Sequence, residues 1–202
     1  MRITGTIVFV VGPSGAGKDS LLRFAAHHLS DEPRFAFPRR VITREPTDRT
    51  ESHDILTFEE FDAAVRQGRF ALHWEAHGLR YGIPASIDDD LDVGRTVAVN
   101  VSRNILAEGV RRYLDHLIIC VTAPAPVLAQ RLAARGREGR HDIAARISRR
   151  TDVLPEGLNV VTIANDRSLE EAGERFVRLL RDPKARSDTL FVDTKHLSSK
   201  GS

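Results

Sequence analysis

The sequence predicts a three-layer α/β fold built on a doubly wound parallel sheet, and three observations carry that prediction. Apolar, β-branched runs recur at Thr6 to Val11, Thr96 to Val101, Leu117 to Val121 and Val160 to Ile163, each followed by helical periodicity. Continuous rather than alternating runs mark strands buried on both faces, as in a parallel sheet covered by helices. The first run leads through a glycine-rich turn, Gly12-Pro13-Ser14-Gly15-Ala16-Gly17-Lys18, directly into a helical pattern. The chain has 202 residues, 41% of them apolar, enough for one well-buried core.

Taken in order, the first element is the strand ending at Val11 with the turn after it. Gly12, Gly17 and Lys18 stand at the spacing of a phosphate-binding loop, in which backbone N–H groups and a helix N-terminus face a polyphosphate. Gly15 and Gly17 let the backbone approach phosphate oxygens without a side chain in the way. Gly12, Pro13, Ser14, Gly15, Ala16, Gly17, Lys18, Asp19 and Ser20 are therefore candidates for holding ATP. Up to position 183 every cationic position except Lys18 is arginine. A compact ammonium suits a moving phosphoryl group better than a planar guanidinium does, so the exception is informative. Asp19 stands where the commonest form of the motif has Ser or Thr as a magnesium ligand. Ser20 is then the candidate hydroxyl for Mg²⁺ and Asp19 a candidate for its water shell; a helix-favouring first-turn charge is the other reading of Asp19.

Between Arg39 and Pro84 the pattern changes to a small α+β insertion. Thr57-Phe58-Glu59-Glu60 is a capping box opening a helix that stops at Gly68. Phe70 to Trp74 and Leu79 to Gly82, joined through Glu75 to Gly78, form a hairpin. Placed opposite a phosphate loop, such a segment is suited to holding a second substrate.

Farther on, Pro126 starts a helix on which Arg131 and Arg135 share a face, and a loop with Gly136 and Gly139 leads to a second helical stretch bearing Arg146. Seven arginines fall between positions 131 and 150. They form either a solvated helical face or a lid whose guanidinium groups close over transferring phosphates. Asn165-Asp166 ends the last core strand; Asn165 is expected at an adenine edge, with strand-end capping as the alternative. Ser168 and Glu171 form a further capping box, opening a helix that buries Leu169, Ala172, Phe176, Val177 and Leu180.

The organisation expected is a single domain over 1–182, with a core at 1–36 and 94–182, an acceptor-binding insertion at about 37–93, a lid at about 135–146, and a polar tail at 183–202. Thirty cations against 28 anions, with no basic block, argue for a local anion site rather than a nucleic-acid face. The lone Cys120 excludes an internal disulfide, and His27, His28, His73 and His77 have no zinc spacing with it. No apolar stretch approaches the roughly 20 residues of a membrane span, and no signal-peptide pattern is present. A cytoplasmic protein that is a monomer or homodimer, with small-molecule partners and neither nucleic acid nor membrane, is the expectation.

A phosphate loop leaves kinase, GTPase and motor open. Arg40-Val41-Ile42-Thr43-Arg44 with Pro46, Tyr81-Gly82, Arg131-Leu132 with Arg135-Gly136, and Asn165-Asp166 come in the order seen in guanylate kinases. From Thr6 to Leu180 the chain resembles that P-loop kinase family. It departs at the base pocket: where those kinases read guanine with a glutamate stands Leu72, and their Gly-Glu-x-x-Gly-x-Asp-Tyr segment is replaced by Thr50 to Leu56. With Trp74-Glu75-Ala76-His77-Gly78-Leu79, Asn100-Val101-Ser102-Arg103 and Arg135-Gly136-Arg137-Glu138, the chain resembles the ribose 1,5-bisphosphate phosphokinases of phosphonate degradation.

That resemblance implies transfer of the ATP γ-phosphoryl group, with Mg²⁺, to the 1-phosphate of ribose 1,5-bisphosphate, yielding 5-phosphoribosyl 1-diphosphate and ADP. It implies catalytic roles for Lys18, Arg131, Arg135 and Arg146, and acceptor contacts from Arg40, Arg44, Tyr81, His77 and Arg103. A guanylate or other nucleoside monophosphate kinase, and a guanylate-kinase-like interaction module without catalysis, are the alternatives. Such modules typically lack an intact phosphate loop.

Overall fold

The computed structural model of the chain describes residues 5–44, 53–134 and 158–182. Arg135 and Arg146, the expected lid at 135–146 and the tail at 183–202 lie outside these residues, as does the Pro46 of the guanylate kinase pattern.

The elements run β1 (Thr6–Val11), α1 (Lys18–His28), β2 (Phe35–Ala36), β3 (Arg40–Thr43), β4 (His53–Leu56), α2 (Phe58–Arg66), β5 (Phe70–Ala76), β6 (Leu79–Pro84), α3 (Ile87–Asp92), β7 (Thr96–Asn100), α4 (Arg103–Arg112), β8 (His116–Thr122), α5 (Ala125–Ala134), β9 (Val160–Ala164) and α6 (Leu169–Arg181). Five strands form a parallel sheet in the order β2-β7-β1-β8-β9. The four apolar runs of the sequence are four of these strands. β1 sits at the centre, so both of its faces are covered and Ile7 to Val11 are fully buried. This is why its sequence is continuously apolar.

Alternation along β1 builds the three layers. Val8 and Val10 face one cluster with Leu21 and Ala25 of α1 and Phe176 and Val177 of α6. Ile7, Phe9 and Val11 face another with Ile105 and Leu106 of α4 and Ile87 and Leu91 of α3. Gly173 lets α6 close onto α1: a Cβ there would stand 2.5 Å from Cδ1 of Phe24.

The second sheet, of order β4-β3-β6-β5, lies in the stretch read as an insertion. Its β3–β4 pair is parallel, and β3–β6 and β5–β6 are antiparallel. The hairpin is tighter than the sequence reading. β5 runs on to Ala76, and the turn is only His77-Gly78, both with positive φ of 55° and 70°, as a two-residue turn matched to strand twist requires. Thr57 and Glu60 make the expected reciprocal capping box. At α6 only half of one forms: Ser168 Oγ accepts from the Glu171 N–H, while the Glu171 carboxylate faces Arg167 at 3.6 Å instead.

Candidate active site

The parallel sheet puts the carboxyl ends of β1 and β7 side by side, the usual place for a ligand in such folds. At the end of β1 the loop takes a shape only glycine tolerates. Gly12 has φ 141°, and a Cβ there would stand 2.1 Å from the Val121 carbonyl oxygen. Gly17, with φ 93°, is the N-cap of α1, so the first N–H groups of that helix are turned to the loop.

Lys18 opens α1 and its Nζ donates back to the carbonyl oxygens of Gly12, at 2.7 Å, and Pro13, at 3.0 Å. Burial lowers its pKa to about 8; Asp19 opposes the shift, and Arg40 and Arg103 add to it. An ammonium destabilised in this way gains when a polyphosphate arrives. The neighbouring Asp19 accepts a hydrogen bond from Asn100 Nδ2 at 2.6 Å. Burial pushes the Asp19 carboxyl up, but Arg40, the Asn100 hydrogen bond, His53 and Lys18 together hold it below the usual carboxylate range.

Arg40 comes from the second sheet. Ile42 pairs with Tyr81 across β3 and β6, so Arg40, two residues before Ile42, shares the Tyr81 face. Its guanidinium lies 5.0 Å from the Tyr81 ring centroid, and Tyr81 in turn stacks on Trp74 at 5.4 Å and 11°. Arg40 Nη2 also lies 3.4 Å from His53 Nε2, its partner in the parallel β3–β4 register. Burial lowers the Arg40 pKa, Asp19 raises it, and Arg44 lies near enough to lower it further. Arg103, at the start of α4, is within electrostatic reach of Lys18.

On the other side of the loop, Asn165 Nδ2 donates to the Ala16 carbonyl at 2.7 Å, and Arg131 Nη1 donates to the Asn165 carbonyl at 2.9 Å. A Cβ on Gly17 would stand 2.3 Å from Asn165 Nδ2. Asn165 therefore braces the loop as well as ending β9, and its own Oδ1 is buried without a partner.

The structure thus brings Asp19, Arg40 and Arg103 within electrostatic reach of Lys18, sets Tyr81 and Arg44 near Arg40, and ties Arg131 through Asn165 to Ala16 of the loop. Ser14 is exposed and Ser20 is partly exposed in the first turn of α1. His77 is exposed at the hairpin turn, where its left-handed backbone shapes the bend. Leu72, which stands where guanylate kinases carry the guanine-reading glutamate in the sequence resemblance, is fully buried with Trp74 and Ile83 in the shared core. The sequence reading gave no role to Asn100 or His53. A polar residue closing an apolar strand beside the loop strand was the available signal for Asn100; for His53 there was none, because its place follows from the β3–β4 register. Among the described residues there is no group of three or more His, Cys, Asp or Glu placed to hold a metal, and no helix is long and apolar enough to cross a membrane.

No family model matches the chain. The chain is 46% identical over 178 residues to the ribose 1,5-bisphosphate phosphokinase PhnN of Brucella melitensis, covering 88% of this chain and 93% of that protein. It is 48% identical over 180 residues to the protein of the same name from Acidiphilium cryptum, covering 89% and 94%. Among solved structures, guanylate kinase from Anaplasma phagocytophilum matches 92% of this chain and 89% of its own, with a TM-score of 0.65 at 20% identity, a likeness of fold. The fold is thus that of guanylate kinase, and 46–48% identity over about nine-tenths of both sequences places the chain in the ribose 1,5-bisphosphate phosphokinase family.

Proposed function

We propose that the chain transfers the γ-phosphoryl group of ATP to the 1-phosphate of ribose 1,5-bisphosphate, releasing ADP and 5-phosphoribosyl 1-diphosphate, in the cytoplasm and within phosphonate breakdown. The observation that carries the reading is that Arg40, from the second sheet, comes within electrostatic reach of Asp19 and Lys18 at the head of α1. An arginine there meets an acceptor phosphate where the donor phosphates end. Identity to proteins named for this activity supports the same conclusion.

An acceptor phosphate oxygen attacks the γ-phosphorus while the bond to the β–γ bridging oxygen breaks and ADP leaves with that electron pair. A phosphomonoester is largely dianionic at neutral pH, with a second pKa of about 6, so the attacking oxygen needs no general base. What the reaction needs is relief of charge repulsion and alignment. In this reading the loop N–H groups hold the donor and Lys18 leaves the Gly12 and Pro13 carbonyls for the β- and γ-phosphate oxygens. Arg131, joined by Arg135 and Arg146 of the lid, neutralises the transferring group. Arg40, Arg44 and Tyr81 hold the acceptor within the insertion at about 37–93, with Arg103 and His77 as outer contacts. The Arg40 guanidinium lies over the Tyr81 ring, and that ring is held by its stack on Trp74.

The side-chain oxygens of Asp19 and Asn100, with the Ser20 hydroxyl next in the chain, are of the kind that suits a hard cation. Asp19 is held ionised and Asn100 Oδ1 is buried without a donor. Asp19 and Ser20 would hold Mg²⁺, which when bound offsets the charge of the β- and γ-phosphates. A coupled ADP-release assay tests the function. Ribose 1,5-bisphosphate should be consumed and GMP should not; robust GMP turnover would replace this reading with a nucleoside monophosphate kinase.

A further inference from the structure

Among the described residues three polar side chains are buried: Asn100, Asn165 and Thr43. The first two stand at the phosphate loop, whereas Thr43 ends β3 in the second sheet and is fully buried. Valine fills a buried, β-branched strand position equally well, and a hydroxyl in its place is costly unless it is bonded. Thr43 Oγ1 is bonded: it accepts the Arg80 backbone N–H at 2.8 Å.

The place of this bond gives it a role. The β3–β6 ladder pairs Val41 with Gly82 and Ile42 with Tyr81, and the Thr43 hydroxyl joins the two strands one residue farther on. Thr43 directly precedes Arg44, and Arg80 directly precedes Tyr81. One hydrogen bond therefore ties together the backbones that carry two of the acceptor contacts. On its other edge the end of β3 is held by β4, where the Arg44 N–H donates to the Leu56 carbonyl at 3.3 Å. Arg80 is anchored a second time through its side chain, which donates to Asp62 of α2 and lies over the Phe58 ring at 5.2 Å.

We propose that Thr43 is a positioning residue for the acceptor half of the site: its hydroxyl, bonded to the Arg80 N–H, fixes the spacing of Arg44 and Tyr81 so that both meet one acceptor phosphate. The inference rests on the reading of Arg44 and Tyr81 as acceptor contacts, and not on which phosphomonoester they hold.

The test is calorimetric titration of the full-length protein, loaded with a non-hydrolysable ATP analogue, with ribose 1,5-bisphosphate and with GMP. Thr43→Val keeps the shape and removes the hydroxyl; it should weaken the probe that wild type binds by about tenfold, the scale of one hydrogen bond. Affinity for the ATP analogue should stay within about twofold, as for a change remote from that ligand. Thr43→Ser keeps the hydroxyl, and Arg80→Ala keeps the backbone N–H while removing the guanidinium. Both should bind the acceptor probe within about threefold of wild type, and far-ultraviolet circular dichroism checks that each variant is folded. A folded Thr43→Val protein that binds both probes as wild type does overturns the proposal. So does an equal loss of affinity for the ATP analogue, an Arg80→Ala loss as large as that of Thr43→Val, or a wild type that binds neither probe. Binding of GMP alone, lost in Thr43→Val, would keep the proposal and sink the sugar-phosphate reading. Amide hydrogen exchange in the wild type needs no variant: the Arg80 N–H should be protected, and unprotected exchange there overturns the proposal even where Thr43→Val does not fold.

Discussion

Lys18 pays twice for its position: it is taken out of water, and it stands near Arg40 and Arg103, with Asp19 and, more weakly, Cys120 opposing them. Its folded pKa of about 8 lies below its ordinary 10.5, so between those values the unfolded chain binds the proton that the folded chain lacks. Stability therefore rises with pH across that window, and below pH 8 the cost of burying the charge is present in full. At 1.36 kcal/mol per pKa unit the cost is at most about 3 kcal/mol. Lys18→Met should thus abolish turnover, and the stability of wild type relative to the variant should improve as pH is raised from 8 toward 10.5. Urea unfolding of the nucleotide-free proteins at several pH values measures this. A difference that stays flat across the window would show that Lys18 is not held at a depressed pKa. The residue itself was legible in the sequence, from loop spacing and from its isolation among arginines. Its strain was not, because that depends on Arg40 and Arg103, which reach it from β3 and α4.

At the scale of elements, legibility followed burial. β1, β7, β8 and β9 are read from continuous apolar runs because helices cover both faces of the parallel sheet. β3 and β4, of four residues each, are too short for periodicity, and their parallel pairing joins stretches that sequence alone does not bring together. α3 hides in Ile87-Asp88-Asp89-Asp90-Leu91-Asp92, where only Ile87 and Leu91 are buried. The candidate site divides the same way: the loop and Arg40 were legible as motifs, whereas Asn100 and His53 become site residues only through strand pairing. Leu72 shows that a place in a motif does not tell what surrounds the side chain. Restoring the glutamate found at this place in guanylate kinases puts a carboxylate into the packed space between Trp74 and Ile83. Leu72→Glu should therefore give no GMP kinase activity and should destabilise the protein by roughly 3–5 kcal/mol, the cost of an unpaired buried charge. Thermal unfolding and a GMP assay of the variant check both halves.

At the scale of the molecule, the two sheets share one core. Leu72, Trp74 and Ile83 of the second sheet lie in the same cluster as Val99 and Val101 at the end of β7 and Ile105 and Leu106 of α4. The far face of the second sheet offers much less: Phe61 of α2 stacks on Phe70 at 4.7 Å, and Ala64 is the other buried residue of α2. Four strands with one nine-residue helix bury too little apolar surface alone to offset their conformational entropy. The second sheet should therefore depend on the parallel sheet for its stability, so that Arg40 comes within electrostatic reach of Asp19 on a platform expected to unfold with the rest. Trp74 is the only tryptophan in the sequence and sits within the shared cluster, so its fluorescence reports on the second sheet, while far-ultraviolet circular dichroism reports on the whole chain. In urea the two transitions should coincide, as two-state unfolding requires. Ile105→Ala, which removes side-chain volume from α4 and alters nothing in the second sheet, should cost about 2–5 kcal/mol and move both transitions down together. A Trp74 transition that falls at lower urea than the circular dichroism, or that ignores Ile105→Ala, would show instead that the acceptor side folds on a core of its own.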